Sequence, residues 1–234
     1  MALHTDIARN LTDARLRIRN AALAAGRRPE EVRLLAVSKT FGLDHVRAAV
    51  AAGQEDFGEN RVQEALQKIA GSADLKIRWH LVGTLQSNKV RKAVPHFSAI
   101  HSVDSLRLLE SIDAAAAEAG TAPEVLVQVD LAGEATKHGA PPSEAKEIVR
   151  AAARCRRARA VGLMTIPPFF DEPEDVRPYF AQLRDLRSTW LKEGLDPAAL
   201  RELSMGMSHD FDVAVQEGAT IVRLGTAIFG KRPV

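Results

Sequence analysis

Leu34-Leu35-Ala36-Val37-Ser38-Lys39-Thr40 is a short apolar run that ends on a lysine. Its length and its aliphatic residues read as a buried strand. Side chains alternate along a strand, so Lys39 points to the same side as Leu35 and Val37. If that side is an interior, the amine rises from an apolar floor at the mouth of whatever the strand builds.

The sequence on either side repeats this theme. Strands are expected at Val32–Ser38, Asp56–Gly58, Arg78–Val82, Ala99–Val103, Glu124–Leu131, Arg159–Thr165, Glu202–Met205 and Ile221–Leu224. Helical stretches lie between them, at about 43–52, 60–70, 88–94, 105–119, 142–153, 173–192 and 209–217. Gly53, Gly120 and Gly218 stop three of these, and Pro95 closes another. Strands alternating with helices predict a parallel sheet. Eight such units predict an α/β fold, a single closed (β/α)8 barrel over residues 1–234. An open doubly wound sheet is the alternative.

An additional helix is expected at 6–25. Ile7, Leu11, Ala14, Ile18, Ala21 and Ala25 form one apolar stripe. Thr5 or Asp6 can cap its start, Gly26 ends it, and Asp13 and Arg17 form an i,i+4 pair. The last strand has no long helix after it, so this N-terminal helix is the natural substitute on the barrel wall.

Bulk properties narrow the function. The chain has 234 residues and a net charge of +2, so no broad polyanion-binding field is implied. The cluster Arg154, Arg156, Arg157 and Arg159 reads as a solvated helix face. With one cysteine, Cys155, no intramolecular disulfide forms, which suits a reducing compartment. The N-terminus has no signal-type apolar stretch, and no run approaches the roughly 18 apolar residues of a membrane span. A soluble cytoplasmic protein is expected, without nucleic-acid or membrane partners and without a metal.

In a barrel the site lies at the C-terminal ends of the strands. Burial there favours a neutral Lys39 amine, the form needed to attack a carbonyl carbon. On strand one alone, a lysine whose stem lies on the barrel and whose amine reaches solvent is the better reading. Two further features bear on the choice. Ser204-Met205-Gly206-Met207-Ser208 precedes a helix, with Ser208 placed as its N-cap and Asp210 in its first turn; Gly225-Thr226 follows the last strand. Loops after strands seven and eight commonly hold phosphate in such barrels. Arg223 lies inside the apolar strand Ile221-Val222-Arg223-Leu224 and needs an acceptor, either an acidic side chain or a pyridine nitrogen. An amine, a phosphate site and a buried arginine converge on one mouth. Together they fit pyridoxal 5′-phosphate (PLP).

Several motifs then resemble one family. They are Ala36-Val37-Ser38-Lys39, Phe57-Gly58-Glu59-Asn60, Trp79-His80-Leu81-Val82-Gly83, Ile100-His101-Ser102-Val103-Asp104, Gly162-Leu163-Met164-Thr165, Leu203–Ser208 and Val222-Arg223-Leu224-Gly225-Thr226. The sequence resembles the YggS/PROSC family of pyridoxal phosphate homeostasis proteins over about residues 6–230. The resemblance implies a barrel like the N-terminal domain of alanine racemase and PLP held as a Schiff base on Lys39. It implies Arg223 at the ring nitrogen, Ser208, Gly225 and Thr226 at the phosphate with Ser204 as a second candidate, and Asn60 and His80 lining the pocket. The sequence departs from the family pattern at Asp130 and at His138, next to a matching Lys137.

An arginine at the ring nitrogen disfavours its protonation and weakens the ring as an electron sink. A two-base racemase also needs an acid/base group opposite the lysine. The sequence has one tyrosine, Tyr179, expected in the helix after strand six and away from the mouth. The expectation is therefore a protein that stores, buffers or delivers PLP, as a monomer, to apo PLP-dependent enzymes, with no catalytic residue. The rival readings are a PLP-dependent racemase, a cofactor-free Schiff-base aldolase and a scaffold with an idle pocket.

Overall fold

A computed structural model describes residues 2–133 and 138–231. Eight parallel strands form one closed barrel in chain order. They are β1 (Arg33–Val37), β2 (Asp56–Glu59), β3 (Arg78–Leu81), β4 (Ala99–Val103), β5 (Glu124–Gln128), β6 (Arg159–Met164), β7 (Glu202–Met207) and β8 (Ile221–Leu224). The ring closes where β1 pairs with β8, with Leu35 opposite Arg223. The barrel expectation is met, and the open sheet is not.

After α1 (Ala2–Ala24), a helix follows every strand: α2 (Leu43–Ala51), α3 (Val62–Ala70), α4 (Val90–Ala93), α5 (Leu106–Ala119), α6 (Pro142–Ala152), α7 (Arg177–Lys192), α8 (Phe211–Gln216) and α9 (Thr226–Phe229). The last of these is a single turn. Helix α1 packs on α2, α8 and α9 and covers the wall that α9 is too short to cover. Its buried stripe runs Ile7, Leu11, Ala14, Ile18, Ala21 and Ala22, whereas Ala25 is exposed and lies beyond the helix. Burial of Ile7, Leu11 and Ile18 contributes up to about 1.5–3 kcal/mol each, which explains why a polar-rich helix stays docked. Helix α1 starts before the expected caps, and Arg17 does not pair with Asp13. It reaches across to Asp212 and lies over the Phe211 ring at 4.3 Å, so it ties α1 to α8.

Alternation along β1 sorts its side chains between two apolar layers. Leu34 and Ala36 pack outward with the helices. Leu35 and Val37 face the lumen, in a separate cluster with Val82, Leu126, Val161 and Met164. The lumen is thus a packed core, as barrel interiors are. The continuation of that inward row beyond β1 reaches Lys39.

Candidate functional site

Lys39 stands in a turn just past β1. Its two neighbours are held by one buried network. Lys68 of α3 donates from Nζ to the Ser38 carbonyl oxygen (2.7 Å), to Glu59 Oε1 (2.7 Å) and to Glu64 Oε1 (2.9 Å). The Ser38 hydroxyl donates to the same Glu59 oxygen at 2.6 Å. On the other side, the Thr40 backbone N–H donates to Glu64 Oε1 at 2.7 Å. That bond accompanies a left-handed Thr40 backbone, φ 69°, the one positive φ outside glycine among the described residues. A β-branched residue adopts this conformation only where its surroundings impose it. Burial raises the pKa of Glu59, against the hydrogen bonds from Lys68 and Ser38. Burial opposes ionisation of Glu64 too, but its bonds from Lys68 and Thr40 prevail and lower its pKa.

Arg223 is buried at the inner end of the same mouth. Its Nη1 donates to Ser204 Oγ and its Nη2 to the Thr165 carbonyl oxygen, both at 2.9 Å. Burial brings its pKa down to about 10, with Asp210 acting the other way. The guanidinium therefore remains charged at neutral pH. The expected acceptor of this arginine is neither a paired carboxylate nor a ligand alone: a hydroxyl and a carbonyl hold it from below.

The loops after β7 and β8 meet through one oxygen. Ser208 Oγ accepts from the backbone N–H groups of Gly225 and Ala227, both at 3.1 Å. Ser208 is thus not the N-cap of its own helix. The N-cap of α8 is Asp210, whose Oδ1 turns back to accept from the Met207 N–H. The Ser208 hydroxyl oxygen thus takes up both backbone donors at the start of α9.

These pieces line one cavity of about 360 Å³ at the C-terminal mouth of the barrel, within the range of roughly 300–1,000 Å³ common for small ligands. Lys39, Asn60, Ser208, Arg223, Gly225 and Thr226 all face it. Val37 and Val82 give it apolar surface, and Phe169 and His209 stand against one another at its rim. Two cationic side chains and no carboxylate are found in its lining among the described residues. Gly83 seats Asn60: a Cβ there would come within 2.2 Å of the Asn60 carbonyl oxygen.

Two sequence-predicted residues lie elsewhere. His80 and Ser204 are buried beneath the cavity and are not part of its lining. His80 Nδ1 lies 3.0 Å from His101 Nε2, its Nε2 lies 3.1 Å from Asp56 Oδ1, and His101 Nδ1 lies 2.9 Å from Ser204 Oγ. Both residues face inward, one layer too deep to line the cavity. Lys137 lies outside the described residues. Asp130 holds its own loop, with Oδ1 accepting from the Ala132 and Gly133 N–H groups, and His138 is exposed with its carbonyl bound by Gln128. Tyr179 packs on Phe170 and is not in the cavity lining. The sequence reading missed Lys68, whose spacing from Glu64 was its one visible signal.

A larger cavity, about 720 Å³, opens near the N-terminal ends of β5 and β6. Arg201 in its lining is already paired with Glu124, and Arg150 with Glu147. No set of side chains converges there as it does at the mouth. No cluster that could hold a metal ion occurs among the described residues, and no helix there is long and apolar enough to cross a membrane.

A closed parallel barrel with an amine, a guanidinium and the junction of Ser208 with Gly225 and Ala227 at its C-terminal mouth belongs to the class described as the alanine racemase N-terminal domain, whose family model matches residues 13–233. Within that class the chain belongs to the family of pyridoxal phosphate homeostasis proteins. It is 44% identical to the protein of that name from Aquifex aeolicus over 92% of this chain and 94% of the relative. It is 40% identical to the one from Escherichia coli K12 over 97% of each. Among solved structures, PipY of Synechococcus elongatus with PLP bound superposes with a TM-score of 0.84 at 41% identity, over 96% of this chain and 100% of that one. Alanine racemase from Clostridium difficile shares the fold alone, with a TM-score of 0.76 at 16% identity; the match covers 98% of this chain and 58% of the racemase.

Proposed function

We propose that this chain binds PLP covalently through Lys39 and holds it for storage or delivery without efficient turnover. The observation that carries the reading is the composition of the mouth cavity: Lys39 and Arg223 converge there with Ser208, Gly225 and Thr226, and with no carboxylate among the described residues. That set fits PLP, a doubly anionic phosphate on an aromatic ring with one aldehyde and one ring nitrogen. PLP, when bound, would supply an electrophilic aldehyde carbon and an electron sink for charge on the α-carbon of a bound amine.

The chain's residues divide the remaining work. Ser38 and Thr40 are fixed by Lys68, Glu59 and Glu64, so the Lys39 stem leaves the barrel in one direction. Ser208, Gly225 and Thr226 are placed to take the phosphate, and Asn60 stands at the side of the cavity. Arg223 presents N–H donors to the ring nitrogen. A donor-only group there opposes ring protonation, which supports holding over catalysis. In this reading the chain is a cytoplasmic monomer, Ser204 and His80 act from beneath the pocket, and apo PLP-dependent enzymes are the recipients.

The test pairs two assays on the PLP-loaded chain. One measures racemase and transaminase turnover over a panel of amino acids. The other measures recovery of activity in an apo PLP enzyme mixed with the loaded chain. Negligible turnover with recovery of the acceptor is expected. Turnover at about 1 s⁻¹ or more, the ordinary enzyme range, contradicts the reading.

A further inference from the structure

Beneath the cavity runs an unbroken line of hydrogen-bonded side chains. It passes from Arg223 through Ser204, His101 and His80 to Asp56, with successive separations of 2.9, 2.9, 3.0 and 3.1 Å. All five residues are buried. At the far end Arg78 grips Asp56 through two bonds of 2.7 Å, from Nε and Nη2. The line thus spans the lumen from the pocket to the opposite mouth, with one residue from each of five strands, β8, β7, β4, β3 and β2.

With both histidine rings neutral, its two ends fix the direction of every bond between them. Arg223 can only donate, and an ionised Asp56 can only accept. Burial works against ionisation of Asp56, but the hydrogen bonds from Arg78 and His80 hold its carboxyl well below the ordinary range. His80 therefore donates from Nε2 to Asp56. As a neutral ring it must accept at Nδ1, so His101 donates from Nε2 and accepts at its own Nδ1. The Ser204 hydroxyl then donates to His101 and accepts from Arg223. One arrangement satisfies every donor and acceptor, and all the hydrogens point from the pocket toward Asp56.

An added proton breaks this order. It would place a hydrogen on His101 Nδ1, facing a Ser204 oxygen that already accepts from Arg223. The Ser204 hydroxyl hydrogen would lose its acceptor, and a second cation would enter the lumen. Burial, and after it the charges of Arg223 and Arg33 among its neighbours, hold the His101 pKa well below its ordinary value, while Asp56 acts the other way.

We propose that His101 and Ser204, backed by His80 and Asp56, are positioning residues: a one-way hydrogen-bond line that locks the Arg223 guanidinium in place as a fixed donor toward the pocket. With Nη1 held by Ser204 and Nη2 by Thr165, the plane of the guanidinium is set from below. The pocket therefore favours a ligand with an unprotonated ring nitrogen. What Arg223 faces rests on the PLP reading; the line itself does not.

The experiment is ¹⁵N–¹H NMR of the labelled full chain with no PLP added, reading histidine tautomers and the Arg223 side chain. His80 and His101 are both expected as Nε2–H tautomers at about pH 8, and His101 is expected to stay so down to about pH 5. Arg223 is expected to show separate, slowly rotating Nη resonances. In S204A those resonances merge and His101 loses its single tautomer, and S204T restores both. An Nδ1–H tautomer for His101, titration of His101 in that range, or an unchanged Arg223 in folded S204A overturns the proposal. The wild-type tautomers decide it even where S204A fails to fold. These readings are taken without cofactor, so a failure to bind PLP bears on the function and not on the line.

Discussion

Lys68 Nζ lies 2.7 Å from the carbonyl oxygen of Ser38, the residue before Lys39. A buried helix lysine thus fixes the backbone that carries Lys39. The same ammonium bridges Glu59 and Glu64, and Glu64 in turn holds the N–H of Thr40. Both flanks of Lys39 depend on this one cation.

Replacing it should therefore cost more than an ordinary surface lysine. Lys68→Met leaves Glu59 and the Ser38 carbonyl buried with no cation. Loss of about 3–5 kcal/mol is expected, as when one partner of a buried ion pair is removed. Urea unfolding measures it. A loss below about 1 kcal/mol, the surface-pair range, would show that the network does not hold this turn.

Thr40 makes the opposite case. Its left-handed backbone costs roughly 1–2 kcal/mol for a residue with a Cβ. Thr40→Gly relieves that strain but adds unfolded-state freedom of about 0.5–1 kcal/mol. A net gain of up to about 1.5 kcal/mol is expected, together with weaker PLP binding, because the turn then holds Lys39 less firmly. Thermal unfolding and a PLP titration on the same variant separate the two effects. Tighter PLP binding would contradict the account.

His101 predicts a pH dependence of stability. Its folded pKa is depressed by burial, so below about 6.5 the unfolded chain takes up a proton that the folded chain does not. The stabilisation is complete above that value and is lost below it, at about 1.4 kcal/mol per pH unit. Unfolding free energies measured from about pH 7.5 down to about pH 5 should show this decline. A flat profile would mean that His101 is protonated in the fold.

Removing the pocket arginine should lower stability as well as affinity. Arg223→Ala leaves Ser204 Oγ and the Thr165 carbonyl buried without a donor, at about 1–3 kcal/mol for an unsatisfied group. Calorimetry on the PLP-free chain reads this directly. No change in stability would show that water replaces the guanidinium freely.

Much of this was legible in the sequence, for reasons that particular residues make plain. The barrel was readable because eight runs of strand length alternate with helical stretches, several of them closed by Gly53, Pro95, Gly120 or Gly218. Lys39 was readable because Leu35 and Val37 share its side and proved to face the lumen. Depth was not readable. Alternation gives the side a residue faces, but not its layer. His80 lies two residues before Val82, roughly 6–7 Å lower along the strand, so Val82 reaches the cavity and His80 does not. Ser204 lies below Met207 and Ser208 in the same way. Contacts between distant segments were hidden for another reason. Lys68 to Ser38 and Arg17 to Asp212 depend on how the helices dock, which no local spacing encodes.

The most direct test of the central claim is borohydride reduction of the PLP-loaded chain, followed by peptide mass mapping. The account predicts a single reduced pyridoxyl group on Lys39 and loss of the near-visible absorbance band in Lys39→Ala. An unmodified Lys39 in a chain that still binds PLP, or a band that survives in Lys39→Ala, would contradict it.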